Sequence, residues 1–116
     1  MGTHDPAGEA RERLAEMRRA AHRRAASLAS GFDAIVEAAS DVATDDEHDP
    51  EGHTIAWERQ QLAALAEETR LALASIDAAE QRLDEGRYGL CVICDRPIGA
   101  ARLEALPATP TCIECA

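Results

Sequence analysis

Apolar residues recur over the first third of the chain at Leu14, Ala21, Ala25, Leu28, Phe32, Ile35, Ala39 and Val42, in steps that mostly alternate between three and four. That spacing gathers them on one helical face and has the heptad form of a coiled-coil stripe. A second stripe follows at Ile55, Leu62, Leu65, Thr69, Ala72, Ile76, Ala79 and Leu83 and stops at Gly86. Two long helices are expected, over about 6–43 and 54–85. Asp5 and Pro6 suit an N-cap and a first helical position. Gly31 is the weak point inside the first helix, at about 1 kcal/mol against alanine. At 1.5 Å per residue each helix would run about 45–55 Å, and neither could bury its stripe alone. Residues 1–86 are therefore expected to form an antiparallel two-helix coiled-coil hairpin, with the many alanines allowing close backbone approach.

The connecting segment, 44–53, would be the tip of that hairpin. Pro50 and Gly52 are turn signals, and Asp45, Asp46, Glu47, Asp49 and Glu51 bring five carboxylates with no cation among them. A charge run is ordinarily a solvated face. Here like charges crowd one turn, and Asp41, near the end of the first helix, opposes its dipole. A sequence that accepts this local cost points to a use for the acids. His48 and His53 flank Asp49, yet an exposed turn offers neither burial nor a cleft to make them a second metal site or an acid/base pair.

Four cysteines, Cys91, Cys94, Cys112 and Cys115, form two Cys-x-x-Cys pairs separated by 17 residues. A two-residue spacer lets both sulfurs of a pair face one cation, and a loop of this length brings the second pair round to complete a tetrahedron. One structural Zn2+ is the expected cofactor. Two disulfides would need an oxidising compartment, and a redox Cys-x-x-Cys normally follows a strand in a βαβ pattern that has no counterpart here. Residues 87–116 hold few bulky apolar groups and need such a staple to order themselves. Ile98 to Leu106 would form a short helix or turn between the two pairs. The expected fold is all-α dominated, a long hairpin with a small C-terminal C4 zinc finger.

Composition narrows the partners. The 116 residues carry a formal charge of −10, and four thiolates around one divalent ion would add about two more negative units, which argues against direct DNA binding. The finger's own charges nearly cancel, with Arg87, Arg96 and Arg102 against Asp95, Glu104 and Glu114. Lysine is absent, and Arg11, Arg13, Arg18, Arg19, Arg23 and Arg24 make half of the 12 basic residues. This basic stem would either pair with Glu9, Glu12 and Glu16 along a solvated helix or contact an acidic surface or a phosphate. No export signal or spanning segment is read in the sequence, and a cytoplasmic location is expected. No nucleophile with a base and no phosphate-binding glycine loop is present, so an enzyme is not expected. Trp57 is placed on or beside the seam and Tyr88 at the base of the hairpin against the finger.

The run Arg82-Leu83-Asp84-Glu85-Gly86-Arg87-Tyr88-Gly89-Leu90-Cys91-Val92-Ile93-Cys94, then Arg96-Pro97-Ile98, Arg102-Leu103-Glu104-Ala105-Leu106-Pro107 and Thr111-Cys112-Ile113-Glu114-Cys115-Ala116, resembles the signature of the DksA/TraR zinc-finger family. The helical portion is similar in layout. The resemblance implies a monomeric transcription regulator that binds bacterial RNA polymerase directly, its acidic tip entering the secondary channel, often together with guanosine tetraphosphate. The best-known members carry Asp-x-x-Asp-x-Ala at the tip. Here Asp49 keeps the first position, while Gly52 and Thr54 replace the other two, and Asp45, Asp46 and Glu47 offer carboxylates on the other side of the turn. Asp95 follows Cys94 where members commonly have glycine, so a left-handed backbone is expected there. Two other readings stay open: a structural or oligomerising coiled-coil zinc protein, and a thiol redox sensor.

Overall fold

The computed structural model describes residues 5–42 and 50–116. Its elements are α1 (Pro6–Val42), α2 (Pro50–Asp84) and α3 (Ala100–Ala105). Asp5 caps α1 as expected: its carboxylate accepts the Gly8 N–H at 3.1 Å, with Pro6 at the first helical position, where a missing N–H costs nothing. The second helix begins earlier than the turn signals suggested. Pro50 opens α2 instead of breaking the chain ahead of it, because proline's fixed φ suits a first helical turn as well as a bend. Gly52 and Glu51 then fall within that turn.

At its other end α2 closes in a Schellman motif. The Arg87 N–H donates to the Arg82 carbonyl at 2.8 Å and the Gly86 N–H to that of Leu83 at 3.2 Å. Gly86 takes the left-handed conformation this requires, with φ 73°.

The chain divides into two compact units. One holds the described residues up to Ala20 together with Ala72–Ala116, and the other is Ala21–Leu71. In the first, Leu14, Ile76, Ala79 and Ala108 form a buried core, with Met17, Leu83 and Tyr88 packed against it. The helices there run antiparallel. Arg11 pairs with Asp84 at 2.8 Å, and one α1 turn-pair later Arg18 binds both Asp77 and Glu80. These carboxylates raise the Arg18 pKa, Asp77 first and Glu80 next. Two stem arginines thus reach across to α2, whereas Arg19 pairs locally with Glu16.

In the second unit Ala21, Leu28 and Ile35 are buried at heptad spacing. A Cβ at Gly31 would meet Leu62 Cδ1 at 3.2 Å, so the glycine read as a weak point serves a close helix–helix approach. On α2 the seam includes Thr69, buried and satisfied by donating Oγ1–H to the Leu65 carbonyl at 2.8 Å. Leu65 itself was expected on the seam but is 43% exposed. The half-buried neighbour Ala66 takes that position. Trp57 lies beside the seam and is exposed.

Gly86→Ala tests the helix stop. A Cβ there meets nothing within 4 Å, so the cost is purely that of a left-handed alanine. A loss of about 1 kcal/mol is expected in urea unfolding of the zinc-loaded chain.

Candidate metal centre

The first cysteine pair is built on a tight reversal. Leu90 and Pro97 form an antiparallel bridge, the Cys91 N–H donates to the Arg96 carbonyl and the Ile98 N–H to the Gly89 carbonyl, each at 2.8 Å. At its apex Asp95 has φ 63°, the left-handed residue anticipated from its place after Cys94. The Asp95 N–H returns to the Cys91 carbonyl at 2.9 Å. The second pair turns likewise, with the Cys115 N–H donating to the Cys112 carbonyl at 3.1 Å. Between the pairs α3 supplies Arg102, whose Nε donates to the Thr111 carbonyl at 3.0 Å just ahead of Cys112.

These turns bring Cys91, Cys94, Cys112 and Cys115 together, with all four sulfurs within 4.8 Å of one another. Cys94 Sγ and Cys112 Sγ are 3.7 Å apart. That is far beyond a disulfide bond and close to the edge of a tetrahedron of sulfurs about 2.3 Å from a shared zinc, roughly 3.8 Å. Soft, closely grouped sulfur donors at this separation fit a structural Zn2+. Cys91 and Cys112 are buried, Cys94 and Cys115 half-buried, and Ile98 and Leu103 complete the surrounding core.

The electrostatics favour a cation. Backbone N–H groups, that of Cys112 foremost and those of Cys94 and Ile93 after it, outweigh burial and pull the Cys91 thiol down to about 6. The Ile93 N–H lies 3.4 Å from that sulfur. Cys115 moves the other way, to about 12, through its hydrogen bond to Cys112 and its burial. Arg96 is raised by a hydrogen bond to Cys94 and by the field of the sulfurs. It spans both turns, since its Nη2 is also 3.6 Å from Glu114 Oε2. In the sequence Arg96 enters only the near-neutral charge balance of the finger; its place two residues after Cys94 is the signal for a cation attending the sulfurs.

Other sequence-derived sites fare differently. Asp45, Asp46, Glu47 and Asp49 lie outside the described residues, as does His48. Glu51 is in the first turn of α2, and His53 is exposed on the same helix. Among the described residues the four cysteines are the one group of three or more metal-type ligands close enough to share an ion. Tyr88 sits where expected, its hydroxyl donating to the Pro107 carbonyl at 2.7 Å.

Known proteins share these features. The family described as prokaryotic dksA/traR C4-type zinc finger matches residues 86–116. The RNA polymerase-binding transcription factor DksA of Caulobacter vibrioides is 42% identical over 45 residues, covering 39% of this chain and 32% of that protein. Its Haemophilus influenzae namesake is 39% identical over 46 residues, covering 40% and 32%. The matches to these curated relatives span about a third of their length. The structure of transcription factor DksA2 from Pseudomonas aeruginosa superposes with a TM-score of 0.53 at 26% identity, covering 88% of this chain and 78% of that one.

Purified protein should carry one zinc per chain by elemental analysis. Cys112→Ser should weaken zinc by more than about a hundredfold in chelator competition, beyond the 10–100-fold typical of outer partners. Lowering the pH should release the metal, because protons compete for each thiolate.

Proposed function

Because the chain carries a C4-type zinc finger of the DksA/TraR family, we propose that it is a transcription regulator that binds bacterial RNA polymerase directly, through the secondary channel. In this reading Cys91, Cys94, Cys112 and Cys115 hold one structural Zn2+, with 87–116 as the finger and 1–86 as the helical hairpin. Asp45, Asp46, Glu47, Asp49 and Glu51 act near the polymerase active site. They do so by charge alone, altering the stability of the initiation complex, and the protein carries out no covalent chemistry. It works as a cytoplasmic monomer without touching DNA, with guanosine tetraphosphate as a co-regulator.

The observation that carries this reading is the pairing of a finger matched over 86–116 with helices that share the fold of a DksA structure over 88% of the chain. The curated relatives matched are RNA polymerase-binding transcription factors, which supports the same partner here. A formal charge of −10 supports a protein partner over a nucleic-acid one. Among the described residues no helix is long and apolar enough to cross a membrane.

Tagged protein should retain core RNA polymerase in a pull-down. Asp45→Asn, Asp46→Asn and Asp49→Asn combined should leave helicity, zinc content and polymerase retention intact while abolishing the effect on transcription from purified components. Full activity in the triple variant would remove the carboxylates from the mechanism, and no retention of polymerase by the parent would end the reading. Sedimentation as a stable dimer would favour the oligomerising coiled coil instead.

A further inference from the structure

Two cores of the same unit are joined by one short segment. Ala108 is packed with Leu14, Ile76 and Ala79 between the helices. Cys112, four residues on, is packed with Cys91 and Ile98 in the finger. Over 107–111 four of the five backbone carbonyls accept hydrogen bonds from different parts of the unit. Tyr88 Oη donates to Pro107 at 2.7 Å, Arg82 Nη2 to Ala108 at 3.4 Å, the Val92 N–H to Pro110 at 2.9 Å and Arg102 Nε to Thr111 at 3.0 Å. Pro107 and Pro110 fix two of the φ angles. Pro107–Thr111 is thus a short segment, held at four of its carbonyls, that links the two cores.

Arg82 is the unexpected member. It is 8% exposed, and its Nε has no hydrogen-bond partner among the described residues. Burial lowers its pKa from the usual arginine value, and no carboxylate is among the groups that act on it. A lone buried guanidinium is costly, and an apolar side chain of similar length would pack the site without that cost. What the arginine supplies, and such a side chain would not, is a donor to the Ala108 carbonyl.

We propose that Pro107–Thr111 is a strap through which the metal centre and the helical core close together, with Arg82 and Tyr88 as the positioning residues that hold it. The proposal rests on the four cysteines holding zinc. It adds that the closed strap binds zinc more tightly than the open one. By linkage, loosening the strap weakens zinc binding although no ligand is touched, and removing zinc loosens the helical core by the same factor.

The test uses the full chain with zinc as the probe, in chelator competition. Tyr88→Phe removes a hydroxyl and keeps the ring; Arg82→Met removes the donor and keeps the stem. Each should weaken zinc about 2- to 10-fold, the range one net hydrogen bond supplies, and the double variant more than either. Zinc-free Arg82→Met should meanwhile be at least as stable as the zinc-free parent, because an unpaired buried charge has gone. Lower stability there would make Arg82 a support of the fold and overturn its role. If Arg82→Met fails to accumulate, that role is likewise overturned, and Tyr88→Phe decides the strap. Removing zinc from the parent should speed amide hydrogen exchange at Leu14, Ile76 and Ala79. Unchanged zinc affinity in Tyr88→Phe, or equal protection of those amides with and without zinc, overturns the strap. A parent that never binds zinc sinks the metal centre itself.

Discussion

Four sulfur atoms within 4.8 Å of one another are the constraint on which the finger depends. As thiolates they repel, and as thiols they are weak donors that bind little. The finger core consists of Cys91, Ile98 and Cys112 with Cys94, Leu103 and Cys115 against it, so most of its members are the would-be ligands. Without a cation the remaining apolar material is Ile98 and Leu103, too little to order some thirty residues. The amides directed at Cys91 and the guanidinium of Arg96 offset part of the negative charge from outside. Neither can sit between the sulfurs, where the repulsion is strongest.

The parts of the fold that were legible in the sequence are those where one residue type answers one local demand. Asp5 caps, Gly86 stops a helix, Asp95 accepts a left-handed backbone, and two Cys-x-x-Cys pairs meet. These follow from short-range geometry and the structure contains each of them. The helix faces were legible where bulky residues mark them, as at Leu14, Leu28, Ile35 and Ile76. Where alanine fills the neighbouring positions the stripe loses definition: Thr69 is buried on the seam as the periodicity expects, whereas Ala66 takes the place expected of Leu65. Pro50 misled for a different reason, since a turn and a first helical position ask for the same φ. Arg82 could not be read at all. It is buried and its hydrogen-bond partner, the Ala108 carbonyl, lies 26 residues further along the chain, which no local pattern encodes.

The finger and the helices also differ in what relates them to known proteins. The finger is matched by a family model over 86–116, the stretch that holds the four cysteines and the left-handed Gly86, Gly89, Asp95 and Gly99. Over 88% of the chain the identity to a DksA structure is 26%, and most of that length is helix, where the requirement is a periodic apolar face that many residues can satisfy. Connecting segments in general tolerate more sequence change than the elements they join. Gly52 and Thr54, standing where the best-known tip pattern has Asp and Ala, fall in or beside the segment joining the helices.

An alanine-rich seam raises a question of register, because small side chains in contact distinguish poorly between one alignment and the next. Charges resolve it. Arg11 with Asp84 and Arg18 with Asp77 are each one heptad apart on both helices, so the two pairs select the same alignment. A slip of one heptad in one direction would leave Arg11 facing Asp77 but set Arg18 against Arg70, a like-charge contact. In the other direction Arg18 would meet Asp84, while Arg11 would run past the end of α2 toward Cys91. Exposed pairs of this kind contribute about 0–1 kcal/mol each, little toward stability. Their effect lies in penalising the alternatives, as flanking charges do in coiled coils. The alignment they select is the one in which Leu14, Ile76, Ala79 and Ala108 share one buried core, so the charge pattern of the basic stem and the apolar packing favour the same register.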